Sequence, residues 1–106
     1  MKEITVQELK SMIGNGEVFQ LIDVREPYEY EEAEMGGELI PMGNILQNID
    51  KISRDKKVII HCKSGGRSRA AVDALEKKHG FDNVYNLRGG ITAWREQEQH
   101  SSGEQG

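Results

Sequence analysis

Three short apolar runs determine which folds this chain can adopt. They are VFQLIDV at residues 18–24, VIIH at 58–61 and VYNL at 84–87. Runs of this length with many branched side chains are typical of strands buried on both faces of a sheet. Helical patterns separate them, so the strands should pair in parallel through right-handed crossovers. The sequence predicts a small three-layer α/β domain, a central parallel sheet of about five strands flanked by helices, with two short extra strands near Ile4 and Leu39.

The helical patterns carry recognisable beginnings and ends. Thr5 and Glu8 have the spacing of a capping box, which predicts a first helix that glycines stop. Pro27 suits the start of a second helix. Apolar residues at helical spacing predict a third helix over 45–52, and an alanine-rich pattern that begins near Arg67 predicts a fourth, which ends before a glycine.

Length and composition indicate one domain. A chain of 106 residues suits one hydrophobic core, which we place in residues 1–99. The stretch 100–106 has no apolar side chain to bury and is expected to be a flexible tail. The first ten residues lack the apolar core of a signal peptide, and no apolar run approaches membrane-spanning length. We therefore expect a cytoplasmic protein.

Charge narrows the choice of ligands. The net charge of −4 argues against nucleic acid or an anionic membrane surface as the main partner. Around Cys62, however, Lys63, Arg67 and Arg69 concentrate positive charge, which favours a small anionic ligand. Cys62 is the only cysteine and has no CxxC or CxxH neighbour, so we expect neither a metal site nor an intramolecular disulfide.

The segment CKSGGRS at residues 62–68 joins the end of a predicted strand to the start of a helix. Gly65 and Gly66 allow positive φ, so that several N–H groups converge on one point at the positive end of the helix. These groups should lower the pKa of Cys62 and activate its thiolate. A lone cysteine after an apolar strand is more often a buried hydrophobic residue, but such a residue needs none of these neighbours, so we favour a reactive thiolate.

The neighbours of Cys62 suggest further roles. The backbone N–H groups of residues 63–67 should stabilise negative charge on sulfur. Lys63 either attracts an anionic donor at the loop mouth or is an ordinary exposed lysine. Ser64 and Ser68 either donate hydroxyl hydrogen bonds to sulfur or cap the helix. Arg67 either binds the donor or holds the loop to a carboxylate, and the sequence leaves both open.

Charged residues at the end of a second buried strand should be paired. Asp23 and Arg25 are expected to hold each other or the neighbouring loop, and Arg25 could also reach substrate. His61 precedes Cys62 on a strand, so its side chain should point to the opposite face and be structural. We assign three further residues to packing and a tight turn, namely Gly89, Gly90 and Trp94.

Three motifs together resemble the rhodanese family of sulfurtransferases. They are LIDVREPYEY from Leu21 to Tyr30, CKSGGRS from Cys62 to Ser68 and NLRGGITAW from Asn86 to Trp94. The resemblance implies a rhodanese fold in which Cys62 takes a sulfane sulfur from a donor such as thiosulfate. The sulfur is stored as a persulfide and passed to cyanide, a thiol or a protein acceptor, without metal or organic cofactor. Within the family, a basic residue at Lys63 goes with thiosulfate-type donors.

Two alternatives and one departure accompany this interpretation. The chain could be a sulfur carrier or docking module that acts only with a protein partner. A cysteine phosphatase or arsenate-reductase-like enzyme is less favoured, because such loops place five residues between Cys and Arg, whereas four separate Cys62 from Arg67. The departure is Glu34, which stands just before the predicted loop 35–44, where many family members have a histidine.

Overall fold

A computed structural model describes residues 1–105, with side chains for residues 1–99. The strands are β1 (Glu3–Ile4), β2 (Phe19–Asp23), β3 (Glu38–Leu39), β4 (Lys57–His61) and β5 (Val84–Leu87). The helices are α1 (Val6–Gly14), α2 (Pro27–Glu32), α3 (Gly66–His79) and α4 (Gly90–Gln105), with two 3₁₀ helices at Met42–Gln47 and Ile49–Lys51. The expected flexible tail over 100–106 falls on residues whose side chains lie outside this description, and it stays a prediction.

The five strands form one parallel sheet in the order β1-β5-β4-β2-β3. This confirms the predicted α/β fold, including the two short strands, which occupy the two edges. β4 lies at the centre, with β2 and β5 beside it. Cys62 follows β4 directly, so the loop after it lies at the carboxyl end of the sheet, where open α/β sheets bind ligands.

Helices cover both faces of the sheet and complete the three layers. One face packs Ile22 and Ile60 with Cys62 against residues of α3, such as Leu75. On the other face Ile59 and neighbouring residues pack against α1 and α4. Successive residues of β4 therefore alternate between the two apolar layers. This alternation places Cys62 and His61 on opposite faces of the sheet, as expected from the sequence.

The capping box and the third predicted helix have different outcomes. Glu8 N–H donates to Thr5 Oγ1 at 3.1 Å, and Thr5 N–H donates to Glu8 Oε1 at 3.0 Å, as predicted. The predicted α-helix over 45–52 is wrong, because the segment forms the two 3₁₀ helices, which meet at Asn48. The Asn48 side chain donates to the carbonyl of Asn44 at 2.8 Å, a local bond that competes with helical hydrogen bonding.

The segment 35–44 contains more regular structure than a loop. It includes β3, which extends the sheet beyond β2, and the start of the first 3₁₀ helix. Tyr30 Oη donates to the carbonyl of Gly37 at 3.0 Å and ties the segment to α2. Glu34 is exposed, and its carboxylate accepts a hydrogen bond from Gly36 N–H. No described helix combines the length and apolar character that a bilayer crossing requires.

Candidate active site

The loop after β4 surrounds the sulfur of Cys62 with hydrogen-bond donors. Gly65 N–H points to Sγ at 3.1 Å and Ser68 N–H at 3.4 Å, while Ser68 Oγ lies 3.4 Å from the same sulfur. Gly65 has φ of 114°, as predicted, but Gly66 adopts ordinary helical backbone as the first residue of α3. One left-handed residue is therefore enough to turn the chain into the helix. The donors to sulfur extend one residue beyond the predicted range 63–67, to Ser68.

These donors control the ionisation of Cys62. The side chain is 1% exposed, and burial alone raises the pKa of a thiol. Hydrogen bonds from the Ser68 hydroxyl and N–H, and from the N–H groups of Gly65 and Ser64, outweigh burial and leave the pKa of Cys62 below its ordinary value. The geometry thus favours an activated thiolate over an inert buried thiol.

The start of α4 fixes the orientation of the loop. Ile91 N–H donates to the carbonyl of Cys62 at 3.0 Å, and Thr92 N–H donates to that of Lys63 at 3.0 Å. Gly90 has φ of 56°, and a Cβ there would lie 2.6 Å from the Lys63 carbonyl oxygen. Its missing side chain is therefore what lets α4 approach the loop. This close contact explains the glycine that the sequence assigned only to packing and a tight turn.

Arg67 is held by a carboxylate. Its Nη1 and Nη2 donate to Oε1 and Oε2 of Glu29 in α2, at 2.7 and 2.9 Å. The Arg67 guanidinium lowers the pKa of Glu29 to about 2, so the carboxylate is ionised at neutral pH. The structure shows the second of the two roles that the sequence left open, a link between the loop and α2, and donor binding by Arg67 stays a prediction.

Asp23 and Arg25 form a buried ion pair with each other. Arg25 Nη2 lies 2.7 Å from Asp23 Oδ2, and the guanidinium also donates to the carbonyl of Ala33 at 2.7 Å. His61 Nδ1 lies 3.2 Å from the Cys62 carbonyl oxygen, and its Nε2 lies 3.7 Å from Asp23 Oδ2. Burial lowers the pKa of His61 more than Asp23 raises it, so the imidazole is neutral at pH 7. This buried group therefore reaches the loop through the contact of His61 with the Cys62 carbonyl.

A cleft of about 330 Å³ lies between α2, the loop and the first turns of α4. Three cationic side chains line it, namely Arg25, Lys63 and Arg95, together with the carboxylates of Glu29 and Glu32. Lys63 and Arg95 are exposed, and within residues 1–99 neither has a carboxylate partner. The cleft thus offers positive charge beside the loop that carries Cys62.

Sequence reasoning missed Asn86, Glu29 and Glu3. Asn86 is 1% exposed in β5, where its Oδ1 accepts from the Ser68 hydroxyl and its Nδ2 donates to Glu3 Oε2 at 3.0 Å. A polar residue within the apolar run 84–87 was the available signal, because a buried amide needs partners. Glu29 and Glu3 lie among many acidic residues, and only the fold distinguishes them. Within the described part of the chain, no three His, Cys, Asp or Glu residues cluster as metal ligands.

A model of the rhodanese-like domain matches residues 5–97. The chain therefore belongs to the rhodanese family, which agrees with its parallel sheet and its cysteine loop. A rhodanese-like domain protein from Staphylococcus aureus has a similar structure, with a TM-score of 0.82 and 35% identity. The match covers 89% of this chain and 91% of that one.

Two curated relatives have names that refer to sulfur transfer. A sulfurtransferase of Allochromatium vinosum is 36% identical over 95 residues, which cover 89% of this chain and 88% of that protein. The probable adenylyltransferase/sulfurtransferase MoeZ of Mycobacterium tuberculosis is 38% identical over 99 residues, covering 91% of this chain. The present chain spans only 25% of the length of MoeZ, so it corresponds to one part of that longer protein.

Proposed function

We propose that this protein is a sulfurtransferase in which the Cys62 thiolate carries a sulfane sulfur. The donor is a small anion of the thiosulfate type, and the acceptor is cyanide, a thiol or a partner protein. The observation that carries the proposal is the sulfur of Cys62 within reach of the Gly65 and Ser68 N–H groups, at the carboxyl end of the sheet. The Cys62 thiol must stay reduced between turnovers, which suits a reducing compartment such as the cytoplasm.

The chemistry takes two displacement steps. The Cys62 thiolate attacks the outer sulfur of thiosulfate, an S–S bond forms, and sulfite leaves with the electron pair of the broken S–S bond. The persulfide retains the negative charge on its terminal sulfur. Cyanide then attacks that sulfur, thiocyanate leaves, and the electron pair of the Cys62–sulfur bond returns to the thiolate. Neither step needs a proton donor or an external oxidant.

The loop supplies donors where the charge develops. The N–H groups of Gly65 and Ser68 point to Cys62 Sγ, so they can stabilise the negative charge that sulfur carries in the thiolate and in the persulfide. Lys63 and Arg95 at the cleft favour the approach of a dianion such as thiosulfate. These features support a small anionic donor over a neutral one.

The same geometry disfavours phosphoryl transfer. A phosphate bound at Cys62 would need donors for its several oxygens, and Arg67 is the loop residue best suited to that role. Both of its terminal nitrogens are instead bonded to Glu29. The four-residue spacing between Cys62 and Arg67 also gives a narrower loop, which suits a single sulfur.

Intact-protein mass spectrometry after thiosulfate treatment tests the proposal. The wild type should gain the mass of one sulfur atom, and Cys62→Ser should gain none. Absence of an adduct with every sulfane donor would contradict the proposal. If the adduct forms, a second assay with thiosulfate and cyanide distinguishes two cases. Steady thiocyanate formation would indicate a free-standing enzyme, whereas an adduct without turnover would indicate a sulfur carrier that requires a protein partner. Hydrolysis of a phosphate ester by the wild type alone would favour the phosphatase alternative.

A further inference from the structure

The Ser68 hydroxyl has one hydrogen and three acceptors around it. Its oxygen lies 3.4 Å from Cys62 Sγ and 3.2 Å from the carbonyl of Gly65, and it also contacts Asn86 Oδ1. Ser68, Cys62 and Asn86 are all buried, so no water replaces a missing partner at low cost. A hydroxyl donates a single hydrogen bond, so these acceptors compete for it.

Glu3 decides which end of the Asn86 amide faces Ser68. The carboxylate of Glu3 accepts from Asn86 Nδ2 at 3.0 Å and is also bonded by Arg69 and Arg88. Hydrogen bonds from Asn86 and Arg69 lower the pKa of Glu3, which keeps it ionised and able only to accept. The NH₂ end of Asn86 is therefore fixed on Glu3, and the oxygen end is fixed on Ser68.

We propose that Asn86 is a positioning residue which, held in this orientation by Glu3, competes with the Cys62 sulfur for the hydrogen of the Ser68 hydroxyl. The inference rests on the proposed role of Cys62 as nucleophile. It assigns a function to a chain of contacts that runs behind the loop, from Cys62 through Ser68 and Asn86 to the edge strand that carries Glu3.

The competition has a chemical consequence because charge moves during the reaction. In the resting state the negative charge sits on Cys62 Sγ, and in the persulfide it sits on the next sulfur. A hydroxyl bond held entirely by Sγ would stabilise the starting thiolate and be weakened on going to the transition state. When the Ser68 hydroxyl donates to Asn86 instead, the Cys62 thiolate has one hydrogen bond fewer. It is then less stabilised and more nucleophilic than a thiolate that holds this bond.

Other charged groups around Cys62 form a constant background to this effect. They are Arg67 on α3 with Glu29 on α2, Lys63 in the loop, Arg95 on α4, and His61 at the end of β4 with Asp23 and Arg25 at the end of β2. None of them bonds to Asn86. Substitution of Asn86 therefore alters the hydroxyl while leaving these charges in place.

Titration of the Cys62 thiolate by its ultraviolet absorbance tests the inference, with Cys62→Ser as the blank for tyrosine ionisation. In Asn86→Leu the Ser68 hydroxyl loses one of its two competing acceptors, and only the Gly65 carbonyl still competes with sulfur, so the share donated to sulfur rises and the titration midpoint shifts to lower pH. At a fixed pH within the transition, the thiolate-to-thiol ratio should rise about three- to tenfold. The limiting rate of persulfide formation at high pH should fall about two- to threefold.

A double-mutant cycle separates this effect from loosened packing. A Ser68→Ala variant has no hydroxyl for Asn86 and sulfur to compete for. The double variant Ser68→Ala with Asn86→Leu should therefore have the same titration midpoint as Ser68→Ala alone. An unchanged or higher midpoint in Asn86→Leu would overturn the inference. A shift of equal size in the Ser68→Ala background would overturn it too.

Glu3→Gln provides a milder variant on an edge strand, which keeps the Asn86 side chain and also weakens the ion pairs of Glu3 with Arg69 and Arg88. A neutral amide at this position lets Asn86 turn its NH₂ end toward Ser68, so the midpoint should shift in the same direction as in Asn86→Leu. Glu38→Gln, on the edge strand at the other side of the sheet, is the matched control and should shift nothing. An unshifted Glu3→Gln midpoint would contradict the role of Glu3. The titration uses no sulfur donor, so it is independent of the persulfide test of the proposed function.

Discussion

Arg67 at the start of α3 and Glu29 in α2 face each other through two parallel hydrogen bonds of 2.7 and 2.9 Å. This pairing makes the loop and α2 one unit, with the cleft between α2, the loop and α4 beside it. It also divides the cations of the site by role. Arg67 and Arg25 are each paired with a carboxylate, whereas Lys63 and Arg95 have no such partner within residues 1–99.

The first prediction concerns the stability of this pair. Glu29→Gln should lower the free energy of unfolding at pH 7 by about 1 kcal/mol, a modest value because Arg67 is 39% exposed and solvent screens the pair. The pKa of Glu29 falls from 4.5 to about 2 on folding, so the contribution of the carboxylate is complete above 4.5 and is lost as pH falls towards 2. Urea unfolding at several pH values should show the wild-type advantage shrinking in that window.

Glu31→Gln is the control for this prediction. Glu31 lies on the same helix, is exposed and has no ion-pair partner within residues 1–99. Its substitution should change stability by no more than a few tenths of a kcal/mol at any of these pH values. A pH-independent difference between the wild type and Glu29→Gln would show that the ion pair is not the cause.

The second prediction concerns Ser68. Ser68→Ala removes a hydroxyl whose bond lowers the pKa of Cys62, so that pKa should rise. Less thiolate is then present at neutral pH, and because Asn86 already shares this hydroxyl, single-turnover persulfide formation should slow only about two- to threefold at pH 7 and recover at higher pH. The control is Ser64→Ala, because the exposed hydroxyl of Ser64 does not bond to the sulfur. A loss that persists at high pH would indicate damaged packing.

The third prediction concerns the contact between α4 and the loop. In Gly90→Ala the new Cβ would lie 2.6 Å from the Lys63 carbonyl oxygen, on a backbone with φ of 56°. We expect a loss of about 3 kcal/mol in the free energy of unfolding, measured with urea, and slower persulfide formation because the loop must move. Gly14→Ala is the control, since no atom lies within 4 Å of its added Cβ. Equal stability of the two variants would contradict the close contact.

Much of the fold could be predicted because it depends on local patterns. The run VYNL became β5, Val84–Leu87, without a shift, since branched residues between turn signals leave few alternatives. Residues 45–52 show that a local pattern can indicate burial without fixing the type of helix. Their apolar spacing correctly indicated that Ile45 and Ile52 are buried, but the same spacing fits a 3₁₀ helix, which local asparagine bonding favours.

The site was less predictable because its contacts join distant parts of the chain. Cys62 and its donors are neighbours in sequence, so the loop could be derived directly. The partner of Arg67 is 38 positions away, and that of Asn86 is 83 positions away. Since acidic residues are frequent in this chain, the sequence could not select Glu29 or Glu3 among them. Only the fold brings them to their partners, through the pairing of β1 with β5 for Glu3 and the position of α2 beside the loop for Glu29.

The last prediction concerns the buried ion pair of Asp23 and Arg25. Arg25→Met leaves the Asp23 carboxylate, which is fully buried, without its cation and should cost about 3–5 kcal/mol in urea unfolding. Replacing both residues, as Asp23→Leu with Arg25→Met, removes the uncompensated charge and should recover part of that loss. Recovery stays incomplete because the bond from Arg25 to the Ala33 carbonyl is also lost. If the double variant were less stable than Arg25→Met, the burial of an unpaired charge would not be the cause of the loss.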